Sequence, residues 1–315
     1  MHISESVQFN STGDGATECA SIRRRTLSRA LAVCCFFLIH IQRIDVITLF
    51  IFIIVVAMPI NVVRLRGVPI LRQLQLEEAL FRSTAWKKEH WCLLNENAGS
   101  LVESDGDGDV DERTVVLGIS GKMDKLVHEK KARTDGVGIM RRFSGGGTVV
   151  IDKNVLLVSV IASKVKGVSP YPRPIMAWTE EELYQPVMNR TCDARTAGEF
   201  AHRENDYVFG DVKVGGNAQA ISRDRWLHHT SFLWDVCPVS MSYLKMPEKV
   251  PEYRAQREHT SFVDGLKNRV NVTSDAWLDA VEGRVGELFG GVVHKTWDEA
   301  SAALGEEHRQ SVKVL

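Results

Sequence analysis

The chain has 315 residues, of which 44% are hydrophobic and 25% charged, and its formal net charge is -1. These values suit a folded globular protein with a substantial core. They exclude a strongly basic nucleic-acid-binding surface as its principal feature. Six scattered cysteines, none in a C-x-x-C pair, supply neither a zinc framework nor a disulfide one and read as reduced thiols of an intracellular protein.

Residues 1–63 differ from the rest. "RRRTLSRA" (23–30) precedes the apolar runs "ALAVCCFFLIHIQ" (30–42) and "VITLFIFIIVVAMPINVV" (46–63), the second uncharged over eighteen residues. That length lies at the lower edge for a membrane-spanning helix, and Pro59 interrupts it. Three readings stand side by side: a membrane anchor through 46–63, part of an organelle-targeting leader, or a segment absent from a mature protein that starts at Met58. The folded domain is expected over 64–300, with 301–315 as a tail.

Within that domain "GVPILRQLQLEEALFR" (67–82) predicts an extended entry and a helix with Ile70, Leu74 and Phe81 on one face. Strands are expected at 91–95 and 115–120. The acidic stretch "ESDGDGDVDE" (103–112) between them fails as a calcium loop. Val110 stands where the sharp turn needs glycine, and Val116 where a bidentate glutamate is needed. It reads as a solvated connection. "VGIMRR" (137–142) leads into three glycines, and "TVVID" (148–152) and the almost wholly apolar "LLVSVIA" (156–162) follow as strands. A helix is expected at 174–190, disturbed near its end by Pro186. "DYVFGDVKV" (206–214) predicts a hairpin turning at Gly210-Asp211, and a strand follows at 225–235. The last clear element is an amphipathic helix, 274–291, capped by Ser274 and ended by Gly290. Strands joined by short turns, with helices around them, define an α+β domain built on a mixed, mainly antiparallel sheet.

The Walker-A loop, the Rossmann fingerprint and the nucleophile elbow are all missing from the sequence. His228 and His229 are neighbours on a strand, so their side chains point to opposite faces and do not share a metal. One should be buried and hydrogen-bonded, the other turned to a pocket or solvent.

Three segments in order carry a specific resemblance. Arg141-Arg142-Phe143-Ser144-Gly145-Gly146-Gly147-Thr148 is similar to the R-R-x-[ST]-G-G-G-[AT] loop of the lipoate–protein ligase family, within the biotin/lipoate ligase group. Lys213-Val214-Gly215-Gly216-Asn217-Ala218-Gln219 resembles its K-x-x-G-[SN]-A-Q segment, preceded by Arg203-Glu204-Asn205-Asp206 as the R-x-N-D element. His228-His229-Thr230-Ser231 resembles its H-H-G-T strand, with threonine for the usual glycine. The likeness covers about residues 67–290.

The resemblance implies the class II synthetase-like fold of that group. It also implies activation of lipoate or octanoate by ATP and Mg2+ to an acyl-adenylate, then acyl transfer to a lysine of a lipoyl-domain protein. Dehydrogenase E2 subunits and the glycine-cleavage H protein are the acceptors so implied. Lys213 is assigned the charge-stabilising role, relieving repulsion between carboxylate and α-phosphate. Arg141 or Arg142 adds a guanidinium, and alternation along a strand lets only one of them face the pocket. Ser144, Gly145, Gly146, Gly147 and Thr148 shape the acyl site, with close backbone approach at the glycines. Gly215, Gly216, Asn217 and Ala218 line the floor, His229 faces the substrate, and Phe143 with nearby valines borders the tail. Asn205 and Asp206 are assigned to the nucleotide, with Asp206 as the Mg2+ ligand.

Alternatives stay open. Biotin ligation lacks its basic G-R-G-R-x-G-R loop here. An ATP-independent lipoyl or octanoyl transferase would use a cysteine such as Cys192. A non-catalytic acyl- or acceptor-binding module is a third. Only 26 residues follow Phe289, fewer than the small C-terminal domain of many such ligases needs, so the expectation is either an accessory protein in its place or membership of the family's single-domain branch. Arg254 and Arg257 in "PEYRAQREHTSFV" (251–263) are expected either to meet an acidic acceptor or to lie in a solvated loop. Mitochondria are the expected compartment, because lipoylated acceptors reside there. A membrane anchor through 46–63, or the cytoplasm, are the alternatives.

Overall fold

A computed structural model describes residues 58–101, 112–248 and 250–315. The leader-like segment, both apolar runs up to residue 57 and most of the acidic stretch 103–112 lie outside the described residues. No helix among the described residues is long and apolar enough to cross a membrane.

The first element is a strand, β1 (Ile60–Arg66), which crosses the boundary expected at residues 63 and 64. Ile60, Val62, Val63 and Leu65 are all buried in it. The end of the apolar run 46–63 therefore belongs to a strand covered on both faces, which reads in sequence as continuous hydrophobicity. α1 (Ile70–Arg82) and β2 (His90–Glu96) follow. Then come β3 (Thr114–Leu117), β4 (Gly138–Arg141), the two-residue β5 (Gly145–Gly146), β6 (Val149–Ile151) and β7 (Val155–Ser163). α2 (Pro172–Trp178) continues through a wide turn at Thr179–Tyr184 into helix again to Thr191. Pro186 thus sits inside the helix rather than ending it. The ring would crowd the carbonyl four residues back, and the widened turn just before it gives room.

β8 (Phe200–Arg203), β9 (Asp206–Phe209), β10 (Val212–Ser222) and β11 (Arg225–Leu233) form a meander. Gly210 turns the β9–β10 hairpin with φ of 58°. α3 (Ser274–Phe289) is capped by Thr273, one residue earlier than expected, and closed by Gly290 with φ of 72°. β12 (Val292–His294) and β13 (Lys313–Val314) complete the strands. The segment expected as a tail returns to the fold through β13.

Among the described residues the strands make two sheets, and the α+β class holds. The larger runs β12-β1-β2-β7-β11-β10-β9-β8, with β5 also on β10. β1 is parallel to both β12 and β2, and the rest is antiparallel. The smaller sheet runs β13-β4-β3-β6. Alternate residues of the central strands feed opposite cores. Val62, Cys92, Leu94, Val158 and Val160 meet Leu183, Tyr184, Trp277 and Val281 of the α2 and α3 side. Val63, Leu65, Trp91, Leu93 and Ile161 meet Leu76, Ala79 and Leu80 of α1. The period of two in each strand therefore builds two cores from one sheet.

Candidate active site

A cavity of about 790 Å³ lies where the two sheets approach, within the size range of small-molecule sites. Its walls come from α1, the glycine loop, β7, β10, β11 and the 251–263 segment.

The glycine loop is held from both sides. Gly145 and Gly146 pair with Gln219 and Ala218 of β10. Gly146 has φ of 128°, and a Cβ there would stand 2.8 Å from the Arg142 guanidinium, 2.9 Å from the Ala218 Cβ and 2.9 Å from the Asn217 carbonyl oxygen. Only glycine fits that crossing. Arg142 is buried and lines the cavity. Its guanidinium donates to the carbonyls of Gly147 at 2.6 Å and Val116 at 3.3 Å, while its Nε has no partner. Burial lowers its pKa to about 10. Arg141 turns the other way, donating to the carbonyls of Gly118, Ile119 and Gly121, and takes no part in the cavity wall. Strand alternation at β4 separates the two as expected, and the substrate-binding role assigned to Arg141 is corrected to bracing a neighbouring turn. Thr148 lines the cavity with a buried, unpartnered hydroxyl. Phe143 is turned into the core against Phe81, ring centroids 6.0 Å apart, and does not border the cavity.

Lys213 reaches the cavity from β10, at a bulge between itself and Gly215. Its Nζ lies 2.7 Å from Asp206 Oδ1 on the neighbouring β9. A Cβ at Gly216 would sit 3.2 Å from that Nζ, so the missing side chain leaves the lysine its berth. Gly215 serves packing instead, its would-be Cβ 3.0 Å from the Phe232 ring. Asp206 also accepts from the Tyr253 hydroxyl at 2.9 Å. Asn217 donates to the Asn205 carbonyl at 3.1 Å and accepts from the Thr230 hydroxyl at 2.7 Å. Asn205, Asp206, Gly216, Asn217 and Ala218 all line the cavity. No group of three or more His, Cys, Asp or Glu side chains among the described residues could hold a metal ion. Asp206 offers one carboxylate, which suits only an ion that arrives on phosphate oxygens.

His229 and His228 divide as alternation requires. His229 faces the cavity, its Nε2 3.0 Å from Ser144 Oγ and its Nδ1 2.8 Å from Glu77 Oε2. Ser144 itself is buried behind this histidine. Glu77 is fully buried on α1. Burial raises its pKa, but His229, Ser159 and Gln73 together outweigh it and hold the carboxyl below its ordinary value. The Ser159 hydroxyl and the Gln73 amide donate to its other oxygen at 2.6 and 2.8 Å. His228 is enclosed beside Tyr207, Thr230 and Gln219, and burial lowers its pKa to about 3.

Ile70, Leu74, Val116, Ile151 and Leu157 form an apolar wall of the cavity, continuous with the core between the sheets. Cys192 stands elsewhere, at the end of the helix closing at Thr191, and burial pushes its thiol up. Sequence reasoning missed Glu77, Gln73, Ser159, Tyr253 and His259. Of these, Glu77 carried a local signal: with Ile70, Leu74 and Phe81 it falls on one helical face.

The model of the lipoyl protein ligase A/B catalytic domain matches residues 110–284. An inactive lipoate–protein ligase 2 of Plasmodium falciparum is 31% identical over 233 residues, 63% of this chain and 61% of that protein. The match thus spans about six-tenths of that relative's length. A lipoate–protein ligase A solved with ATP shares the fold, with a TM-score of 0.58 at 17% identity over 78% of this chain and 92% of that one. So does a bipartite lipoate protein ligase from Thermoplasma acidophilum, described with its E2 lipoyl domain. Its TM-score is 0.57 at 19% identity, over 78% of this chain and 90% of that one. With the glycine loop, Lys213 and the Asn217 strand assembled around one cavity inside the matched region, the chain belongs to the lipoyl protein ligase A/B catalytic domain family.

Proposed function

We propose that the chain is an ATP-dependent lipoate–protein ligase, joining lipoate or octanoate to AMP and passing the acyl group to a lysine of a lipoyl-domain protein. One observation carries this reading: Lys213 presents its ammonium to a cavity that has both an apolar wall and a buried arginine on a glycine loop. An acyl tail fits the wall formed by Ile70, Leu74 and Leu157. Attack of a carboxylate oxygen on the α-phosphorus forms one O–P bond and breaks the α–β bridge, releasing pyrophosphate. Lys213 lowers the repulsion between the two anions and stabilises the charge that gathers at phosphorus. Arg142 fixes the glycine loop and adds a second positive charge. In the second step the acceptor amine attacks the acyl carbon and AMP leaves. ATP is taken with its own Mg2+, for which Asp206 offers the single carboxylate. The Cys192 thiol, raised by burial and away from the cavity, weighs against a cysteine-dependent transferase.

A second reading rests on the Plasmodium relative named as inactive: a chain that holds the acyl group without activating it. Pyrophosphate–ATP exchange decides between them. Exchange dependent on lipoate or octanoate is expected; its absence in protein that still binds lipoate selects the second reading.

A further inference from the structure

The 251–263 segment lies at the surface but turns one of its charges inward. Arg254 is 3% exposed and lines the cavity. Its Nε donates to the Arg257 carbonyl at 2.8 Å, and its guanidinium lies 4.7 Å from the Phe262 ring centroid. One terminal nitrogen is buried with no partner, and so is Nε2 of His259, which also lines the cavity. A buried polar atom left unpaired costs free energy, so two in one wall require a reason. Arg257 gives none of this, because its guanidinium is spent on the carbonyls of Asp211, Arg254 and Tyr253.

The same segment is tied to the lysine. The Asp264 N–H donates to the Lys213 carbonyl at 2.9 Å, and Val263 bridges to Lys213. The Glu252 N–H donates to Glu204 Oε1 at 2.7 Å, and the Tyr253 hydroxyl reaches Asp206. Lys213, Arg254 and His259 therefore share one wall, near enough that both cations hold His259 towards its neutral form after burial has done so. Two carboxylates face this group: Asp206, which holds Lys213 and the Tyr253 hydroxyl, and Glu258 beside Arg254 and His259.

We infer that Arg254 and His259 form the subsite for the β- and γ-phosphates of the nucleotide and hold pyrophosphate as it departs. The inference rests on the ligase reading and deepens it. When the α–β bridge breaks, its electron pair stays on the pyrophosphate oxygen, and the guanidinium donors meet the charge that collects there, joined by the imidazole once the anion's arrival favours its protonated form. An arginine buried to this degree is closed to an acceptor protein, which sets aside the expectation that Arg254 reads an acidic surface.

The test uses the full chain and inorganic pyrophosphate, measured by calorimetry with AMP and lipoate as comparisons. Arg254→Gln is expected to weaken pyrophosphate at least tenfold, with Arg254→Lys recovering part of the loss. AMP and lipoate affinities should stay within about twofold of wild type. His259→Gln, a less buried change, should weaken pyrophosphate severalfold and keeps the test alive if Arg254→Gln does not fold. Three results overturn the inference: wild type that does not bind pyrophosphate, folded variants that bind it as wild type does, or a loss for AMP as large as for pyrophosphate. Wild type that binds pyrophosphate through Arg254 yet shows no ATP exchange overturns the ligase reading alone.

Discussion

Gly146→Ala probes whether the glycine loop is set by geometry or merely tolerates glycine. The backbone φ of 128° lies where side chains are strained, at a cost of roughly 1–3 kcal/mol. The new methyl would also stand within 2.9 Å of the Ala218 Cβ and the Asn217 carbonyl oxygen, and 2.8 Å from the Arg142 guanidinium. Two of these neighbours belong to the β10 strand, and the third is anchored on the Gly147 carbonyl, so relief requires the sheet to move. Overpacking of that kind adds roughly 1–3 kcal/mol. The total, about 2–6 kcal/mol, corresponds to a melting temperature at least about 5 °C lower for a domain of this size. Gly147→Ala is the internal control. Nothing lies within 4 Å of its would-be Cβ and its φ is not in the strained range, so its effect should stay within about 0.5 kcal/mol. Thermal unfolding followed by circular dichroism reads both variants. Equal melting temperatures for wild type and Gly146→Ala, or an equal fall in Gly147→Ala, would refute the reasoning.

The remaining predictions concern charge. Lys213→Ala should slow lipoate-dependent pyrophosphate exchange by about 100-fold or more, the scale of one lost transition-state contact, while Cys192→Ser exchanges at the wild-type rate. The reverse pattern in the two variants would favour thiol chemistry. His228, held neutral by burial with a pKa of about 3, binds fewer protons in the folded chain than its ordinary value of 6.5 would give it unfolded. Its contribution to stability is complete above pH 6.5 and is lost progressively as pH falls towards 3. Urea midpoints should climb between pH 4 and 6.5, and less steeply in His228→Asn, with His90, lowered to about 4, supplying part of the slope that remains. Glu77→Gln should cost about 1–3 kcal/mol at pH 7, the scale of losing a buried charged hydrogen bond. Because the Glu77 carboxyl is held below its ordinary value of 4.5, its stabilisation is present above that pH and lost beneath it. The gap between wild type and Glu77→Gln should therefore narrow as the pH falls below 4.5; a constant gap would contradict an ionised Glu77 held by His229, Ser159 and Gln73.

Much of the site was legible because its residues sit in compact, ordered motifs. Arg142, Lys213, Asn217 and His229 each reach the cavity, and strand alternation alone separates His228 from His229. What stayed hidden depends on partners distant in sequence. In "LQLEEALF" the helical face places Glu77 with the apolar residues but names no partner, and Glu77 and Glu78 are both buried. Glu77 is matched by His229 from β11, and Glu78 by Arg82 and the backbone N–H groups of Ser311 and Val312. A helix periodicity records which face is covered, not what covers it. Arg254 was hidden for the same reason. Glu252, Arg257 and Glu258 lie close to it in sequence, but the short helical turn Glu252–Arg254 carries it inward onto Phe262. The end of the apolar run was misassigned because a doubly covered strand and a membrane segment share one composition.

The place of β1 has a kinetic consequence. One edge of this strand is completed by β2, close by in the sequence, but the other waits for β12, almost at the opposite end of the described chain. Pairings between such distant segments form late, and they slow folding. Until then Ile60, Val62 and Val63 belong to a strand with an open, apolar edge, the kind that recruits foreign chains. A nascent chain, or one clipped before Val292, would carry that adhesive edge. Until Val292–His294 are made, the edge of β1 stays open, and the arrival of β12 is the step that shields it from self-association.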